Sequence, residues 1–175
     1  AQQMVQHFGL QRIDVFDPYA PEGLEARLAQ LTGLPATQIR RVEHTQGVGE
    51  ADIIVTASRA KEPLFNGEHV APHAFVAAIG SSLPHTRELD DALLARAQLI
   101  AVEWKKQATS EAGDLVLADP GLSLAGKLVE LGDIVSGRYA VSAQPGIRLY
   151  KAVGVGLEDI ALAGLAYQNY LASKS

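Results

Sequence analysis

The stretch ADIIVTAS, residues 51–58, decides the fold of this chain. Its apolar centre has no polar alternation, which is typical of a strand buried on both faces of a parallel sheet covered by helices. Sheets of this kind bind ligands at the carboxyl ends of their strands. The tip formed by Thr56, Ala57 and Ser58 is therefore the first candidate for a small-molecule site.

Strand and helix patterns alternate on both sides of this stretch. Alternating apolar and polar residues predict a strand at residues 11–17, apolar runs predict strands at residues 39–42, 75–79 and 99–102, and residues 115–117 are strand-like. Apolar residues at helical spacing predict helices at residues 1–8, 22–31 and 90–97, the first two closed by Gly9 and Gly33. Such alternation predicts an α/β protein with a parallel sheet.

The last segment, residues 156–171, has a different pattern. Its apolar positions recur at alternating spacings of three and four, which predicts an amphipathic helix: Leu157, Ile160, Gly164, Tyr167 and Leu171. Further leucines extend a second apolar face. Such a helix either packs on the sheet and on another domain or subunit, or has a wide core face within one domain.

Composition and charge disfavour several classes of function. The 175 residues carry fifteen Lys and Arg against twenty Asp and Glu, and no basic run is long enough to follow a nucleic-acid backbone. The chain has no cysteine, and no apolar stretch approaches the ~20 residues of a membrane helix. His69 and His73 are separated by Pro72, which breaks the helical spacing of a metal pair. We therefore expect a cytoplasmic protein that binds neither metal, nucleic acid nor membrane.

Phosphate-binding loops are present only in part. The GxGxxG signature occurs as fragments at residues 47–49 and 154–156, which favours turns there. Residues 121–128, GLSLAGKL, approach the GxxxxGK[ST] loop, but Leu128 stands where the Mg²⁺-binding hydroxyl belongs. Neither pattern predicts a complete phosphate site.

Three polar residues follow predicted strands and are candidates for ligand contacts. Asp17 ends the strand at residues 11–17, where a carboxylate in a dinucleotide fold accepts hydrogen bonds from a ribose diol. Equally, Asp17 and Pro18 simply begin a turn. Ser81 and Ser82 follow the strand at residues 75–79, and their hydroxyls either orient a ligand or cap the loop. Of these two roles, the residues alone favour capping.

Six segments in order resemble the ornithine cyclodeaminase and mu-crystallin family, and they span almost the whole chain. Beside ADIIVTAS they are EPLFNGEHVAPHAFVAAIG at 62–80, GSSLPHTRELDDALLARA at 80–97, EAGDLVLA at 111–118, VELGDIVSG at 129–137 and IRLYKAVGVGLEDIALAGLAY at 147–167. Each segment alone is weak, whereas six in register are specific.

The resemblance implies a Rossmann-like, doubly wound parallel sheet at residues 1–155 that binds a nicotinamide cofactor. It also implies that residues 156–175 form a C-terminal helix, packed on the sheet and on a separate N-terminal dimerisation domain of a homodimer. Family members begin the Rossmann domain with a strand and a glycine-rich loop, both lacking here. We therefore expect the C-terminal half of a longer protein, whose other half supplies the lysine and arginine that hold a substrate carboxylate.

Cofactor contacts also follow from the resemblance. Asp17 matches the acidic ribose-binding position, and no arginine follows it to receive a 2′-phosphate, so NAD(H) is favoured while NADP(H) stays open. Thr56 and Ser58 match the strand tip that lines the cofactor. The remaining matches are the segment near the nicotinamide and a turn in which alanine replaces the family's serine: Ala78, Ile79 and Gly80, and Lys151, Ala152, Val153 and Gly154.

Ser82 separates the activities within the family. The resemblance implies an aspartate acting as acid and base at this position in ring-closing deaminases, and a serine in mu-crystallin-like ketimine reductases. A serine hydroxyl orients a substrate, but it holds no base's charge without an activating neighbour.

The predicted function is therefore NAD(P)H-dependent reduction of a cyclic imino acid of the pyrroline- or piperideine-2-carboxylate type. Ser82 is the predicted catalytic residue, and the small imino acid or the related amino acid is the predicted partner. One alternative is a cyclodeaminase-like lyase that recycles NAD and releases ammonia. The other is a noncatalytic fragment that binds a small ligand or cofactor.

Overall fold

The structure, a computed structural model, describes residues 1–43 and 45–174. The chain divides into two compact units, Ala1–Gly47 and Val48–Ser175, called here the N-terminal and the C-terminal unit. The N-terminal unit contains α1 (Gln2–Phe8), β1 (Ile13–Val15), α2 (Leu24–Thr32) and β2 (Ile39–Arg41).

β1 and β2 form a two-stranded parallel sheet in which Asp14 lies opposite Arg40. The Arg40 guanidinium donates to both Asp14 carboxylate oxygens, at 2.9 and 2.7 Å, and this pairing holds the pKa of Asp14 below its ordinary value. Gly9 and Gly33 end the two helices with φ angles of 62° and 78°, a left-handed conformation that glycine adopts readily. Both helix ends lie where they were predicted.

Five strands and five helices make up the described part of the C-terminal unit. The strands are β3 (Ile53–Thr56), β4 (Phe75–Ala78), β5 (Ala97–Val102), β6 (Leu128–Glu130) and β7 (Ile147–Lys151). The helices are α3 (Asp91–Arg96), α4 (Lys105–Glu111), α5 (Gly113–Val116), α6 (Leu131–Val135) and α7 (Gly156–Ala172). Short 3-10 turns lie at Ala36–Gln38, Thr45–Gly49, Gly67–His69, Pro120–Leu122 and Leu124–Gly126.

The five strands pair in the order β3-β4-β7-β5-β6, and every pair is parallel. Side chains of the inner strands and of α3 form the core, with Val76, Leu93, Ile100 and Leu149 at most 1% exposed. The predicted α/β class with a parallel sheet is confirmed.

β3 has one open face, in contrast to the predicted burial on both. Ile54 and Thr56 are 8% and 4% exposed, whereas Val55 between them is 53% exposed. β3 is the edge strand of the sheet, and the face that bears Val55 is left uncovered. The expectation was therefore wrong for this residue.

The central strand β7 was not predicted from the sequence. Ile147–Lys151 alternates apolar and polar side chains, so it lacks the continuous apolar run that indicates β3. Residues 115–117, predicted as strand-like, instead belong largely to α5. Residues 121–128 form 3-10 turns that lead into β6, the reverse of the strand, loop and helix order of a phosphate-binding loop.

α7 confirms the predicted C-terminal helix, and no residue along it is buried. Leu157 and Ile160 are 75% and 71% exposed. Its packing on the sheet and on a separate dimerisation domain stays a prediction, as does the boundary at residue 155. None of the helices in the described part of the chain is long and apolar enough to cross a membrane.

Candidate functional site

Parallel pairing brings the ends of three strands to one edge of the C-terminal unit. Thr56 lies opposite Ala78, and Ala78 lies opposite Lys151. The other residues of this unit that were predicted to contact the cofactor directly follow these three: Ser58, Ile79, Gly80, Ala152, Val153 and Gly154. The fold thus brings the predicted residues together, while their contact with a cofactor stays a prediction.

A fully buried carboxylate, that of Glu88, joins the ends of β3 and β4. It accepts a hydrogen bond from the hydroxyl of Thr56, the last residue of β3, at 2.9 Å and one from the N–H of Ser58, just after β3, at 2.5 Å. From the segment that follows β4 it accepts hydrogen bonds from the N–H groups of Gly80 at 2.9 Å and Ser81 at 3.2 Å. Four donors from two strand ends therefore share one carboxylate.

Only glycine fits at position 80, because the two strand ends approach each other closely. A Cβ atom at this position would overlap the Ser58 carbonyl oxygen and the Glu88 carboxylate. The neighbouring Ile79 is 48% exposed, so this edge of the sheet also presents apolar surface. Thr56 and Ala78, in contrast, are at most 4% exposed.

Lys151, the last residue of β7, is fully buried together with Asp114 of α5. Its Nζ lies 3.1 Å from Asp114 Oδ2 and donates to the Ala78 carbonyl at 3.1 Å. The other oxygen of Asp114 accepts the backbone N–H groups of Glu88 and Leu89, at 2.7 and 2.9 Å. The ammonium group is thus engaged inside the unit, and a contact of Lys151 with a cofactor stays a prediction.

Hydrogen bonds inside the loop after β4 leave Ser82 at its surface. The Ser81 hydroxyl donates to the Thr86 carbonyl at 2.6 Å, and the Thr86 hydroxyl donates to Leu83 O at 2.9 Å. Gly113 packs directly under Thr86, where a Cβ atom would overlap its carbonyl. Ser81 therefore caps the loop, as the residues alone favoured, whereas Ser82 is exposed.

Glu103, directly after β5, holds the turn that follows β7. Its carboxylate accepts the N–H groups of Val153 at 3.1 Å and Gly154 at 3.0 Å, and Gly154 has a φ of 84°. Burial raises the pKa of Tyr150 to about 12, with a further contribution from the negative charges of Glu103 and Glu158. The predicted turn is thus fixed by an acidic residue that its own sequence does not contain.

Asp17 lies in the N-terminal unit, where it makes the turn contact weighed for it. Its carboxylate accepts the Tyr19 N–H at 2.9 Å, as in a turn. It also lines a cleft of about 400 Å³ with residues from the ends of β1 and β2: Phe16, Pro18, Arg41, Val42 and Glu43. The ribose contact stays a prediction. Arg41 also lines the cleft, although it does not follow Asp17 directly in the sequence, where an arginine was sought.

Glu88, Asp114 and Glu103 were missed because sequence reasoning assigns carboxylates to the surface. One signal was present, since Glu88 stands in TREL within a segment that carries the family resemblance. The burial of Asp114 and its pairing with Lys151 follow only from the positions of α5 and β7.

Comparisons with known proteins place the whole chain in one family. The sequence profile described as the ornithine cyclodeaminase/mu-crystallin family matches residues 1–174. The ketimine reductase mu-crystallin of Mus musculus is 34% identical over 129 residues, which are 74% of this chain and 39% of that protein.

Solved structures agree with this match. The probable ornithine cyclodeaminase of Bordetella pertussis Tohama I is 48% identical with a TM-score of 0.91, over 98% of this chain and 55% of that one. The iminosuccinate reductase of Paracoccus denitrificans, solved in complex with NAD⁺, is 30% identical with a TM-score of 0.73, over 88% of this chain and 47% of that one.

The chain spans about two fifths of the mouse protein and about half of the two solved chains. The family profile covers both units, including the strand ends that Glu88 and Lys151 hold together. The profile match from residue 1 to residue 174 shows that the chain belongs to the ornithine cyclodeaminase/mu-crystallin family.

Proposed function

We propose that the protein containing this chain reduces a cyclic imino acid with NADH or NADPH, and that the strand ends of the C-terminal unit bind the nicotinamide. One observation carries the proposal. The ends of β3 and β4 are fixed side by side at the carboxyl edge of a parallel sheet, with Ser82 exposed on the loop that follows.

Relatives support the type of reaction. The mouse relative is a ketimine reductase, and the Paracoccus structure is an iminosuccinate reductase with NAD⁺ bound. Both names describe reduction of a carbon–nitrogen double bond. A cyclic imino acid such as pyrroline- or piperideine-2-carboxylate is our more specific proposal, which follows from the family pattern around Ser82.

The residues at this edge fit a flat nicotinamide ring. Ile79 offers an exposed apolar surface, and the fixed backbone of residues 78–80 gives that surface a defined position. A bound reduced nicotinamide supplies the hydride for the imine carbon, while the protonated imine nitrogen keeps its proton and becomes the ring amine. The protein's part is to hold the two reacting carbons together.

Ser82 orients the substrate in this proposal. Its hydroxyl lies on a loop fixed from inside by Ser81 and Thr86, so its backbone position is defined even though the side chain is exposed. A neutral hydroxyl donates or accepts a hydrogen bond without adding charge, which suits a substrate that already carries its own proton.

Cofactor choice depends on the cleft around Asp17. Its carboxylate, held by the Tyr19 N–H, is proposed to accept hydrogen bonds from the adenosine ribose diol, which favours NAD(H). Arg41 lines the same cleft and is the residue through which NADP(H) stays open.

The exposed helix α7 is proposed to pack on a domain or subunit outside this chain, in keeping with a homodimer. An apolar helix with no buried residue is unusual in an isolated domain, because exposed apolar patches of this kind mark interaction surfaces. Localisation in the cytoplasm is part of the same proposal.

A steady-state assay of the protein containing this chain tests the function. Pyrroline- and piperideine-2-carboxylate should each accelerate the oxidation of NADH or NADPH, and Ser82→Ala should reduce this rate more than it reduces cofactor affinity. Ammonia and proline formed from ornithine without net cofactor turnover would establish a lyase instead. Cofactor binding without turnover of either imine would leave a binding protein and overturn the proposed reductase.

A further inference from the structure

We infer that Glu88 is a positioning residue, which sets the spacing between the cofactor side and the substrate side of the site. The inference rests on the proposed function, in which residues 56–58 and 78–80 face the nicotinamide and Ser82 faces the substrate. Glu88 itself is fully buried, so it acts through the backbone that it holds.

The geometry of its contacts carries the argument. Glu88 accepts donors from both strand ends, and the paired backbones are so close that only glycine fits at position 80. Charged acceptors make hydrogen bonds roughly twice as strong as neutral ones. One carboxylate that binds three N–H groups and a hydroxyl therefore fixes the two ends relative to each other.

A second set of polar contacts connects Glu88 to the end of β4 through Asp114 and Lys151. The backbone N–H of Glu88 is held by Asp114, Asp114 pairs with Lys151, and the Lys151 ammonium donates to the carbonyl of Ala78. β4 is thus held twice, through Gly80 by Glu88 and through Ala78 by Lys151. Such a closed network specifies a single arrangement of the strand ends.

Ser82 follows directly from the residues that Glu88 holds. The Glu88 carboxylate binds the N–H of Ser81, and the Ser81 hydroxyl binds Thr86 two residues before Glu88. A shift of this carboxylate would therefore move the cofactor edge and the Ser82 loop together.

The test replaces Glu88 by glutamine in the chain and measures NADH affinity by nicotinamide fluorescence. Glutamine has nearly the same shape, but its NH₂ group faces N–H donors and repels them. We expect NADH affinity about tenfold weaker, equivalent to about 1.4 kcal/mol. In ¹H–¹⁵N spectra the amide resonances of Ser58, Gly80 and Ser81 should move, because they lose a charged acceptor.

Asp90→Asn is the matched control. Asp90 accepts two backbone N–H groups, those of Gly67 and Leu93, at 2.8 Å each, and it stands at the start of α3 rather than between the strand ends. This variant should lower the melting temperature while NADH affinity and the Ser58 and Gly80 resonances stay unchanged.

Thr56→Val is the second variant in case Glu88→Gln fails to fold. It removes one donor to Glu88 and leaves the carboxylate in place, so the same three amides should shift less and NADH should bind severalfold more weakly. Unchanged NADH affinity in a folded Glu88→Gln or Thr56→Val chain would overturn the inference. If the unaltered protein that contains this chain fails to bind NADH, the proposed function fails, whereas unmoved amides in the folded variants overturn the role of Glu88 separately.

Discussion

Replacing Lys151 by methionine removes the cation from a pair in which both side chains are fully buried. Among the described residues Lys151 is the sole partner of Asp114 Oδ2, so the variant leaves one buried carboxylate oxygen without any. Breaking a buried pair from one side typically costs about 3–5 kcal/mol. We expect the lower end, about 3 kcal/mol, because the other oxygen keeps the N–H groups of Glu88 and Leu89.

Urea unfolding followed by tryptophan fluorescence measures this loss. Trp104 is the chain's single tryptophan and lies in the C-terminal unit, so its signal reports the unit that contains the pair. With a dependence of about 1–3 kcal/mol per molar urea, the midpoint should fall by about 1–3 M. The exposed pair Arg138–Asp133 supplies the control, since Arg138→Met should cost less than about 1 kcal/mol.

The double variant Lys151→Met/Asp114→Asn makes the reasoning refutable. Asparagine keeps an acceptor for the two N–H groups and removes the unpaired charge, so the double variant should be more stable than the sum of the single losses predicts. A Lys151→Met chain within about 1 kcal/mol of the original, or strictly additive losses, would show that the pair is not the buried, coupled unit described here.

Three further predictions concern other parts of the structure. Gly113→Ala should lower stability by about 1–3 kcal/mol in thermal melts, since the new methyl group overlaps the Thr86 carbonyl; an unchanged melting temperature would refute that contact. Tyr150 should ionise near pH 12 in an ultraviolet titration. Its contribution to the stability of the folded chain is full below its ordinary pKa of 10.0 and is lost as the pH rises towards 12. A titration in which all five tyrosines ionise together near pH 10 would contradict this. Asp14 has a lowered pKa, so its contribution is present above the ordinary value of 3.8 and is lost as the pH falls below it; Arg40→Met should flatten this acid dependence in pH-dependent unfolding, and an unchanged profile would exclude the pairing.

The parallel sheet was predictable where its strands are continuous apolar runs. β3 is apolar and short, so its bounds at Ile53–Thr56 could be read directly. β7 could not, because Arg148, Tyr150 and Lys151 make a central strand look half-exposed. Lys151 is tolerated there only because the fold places Asp114 against it.

The site was predictable in its backbone and not in its support. Parallel sheets of this kind bind ligands at their strand ends, which is why Thr56 and Ser58 could be named in advance, whereas Gly80 was named from the family resemblance. Glu88 lies 30 residues from Ser58 and 8 residues from Gly80 in the sequence, and Glu103 lies 51 residues from Gly154. Contacts of this kind depend on tertiary structure and leave no periodic pattern.

Amide chemical-shift mapping of the ¹⁵N-labelled chain with added NADH tests the central claim most directly. The account predicts that Ser58, Gly80 and Ser82 move progressively with NADH while the amide of Gly67, held by Asp90 at the start of α3, stays in place. Saturating NADH that leaves the strand-end amides unmoved, or that shifts only residues away from them, would contradict it.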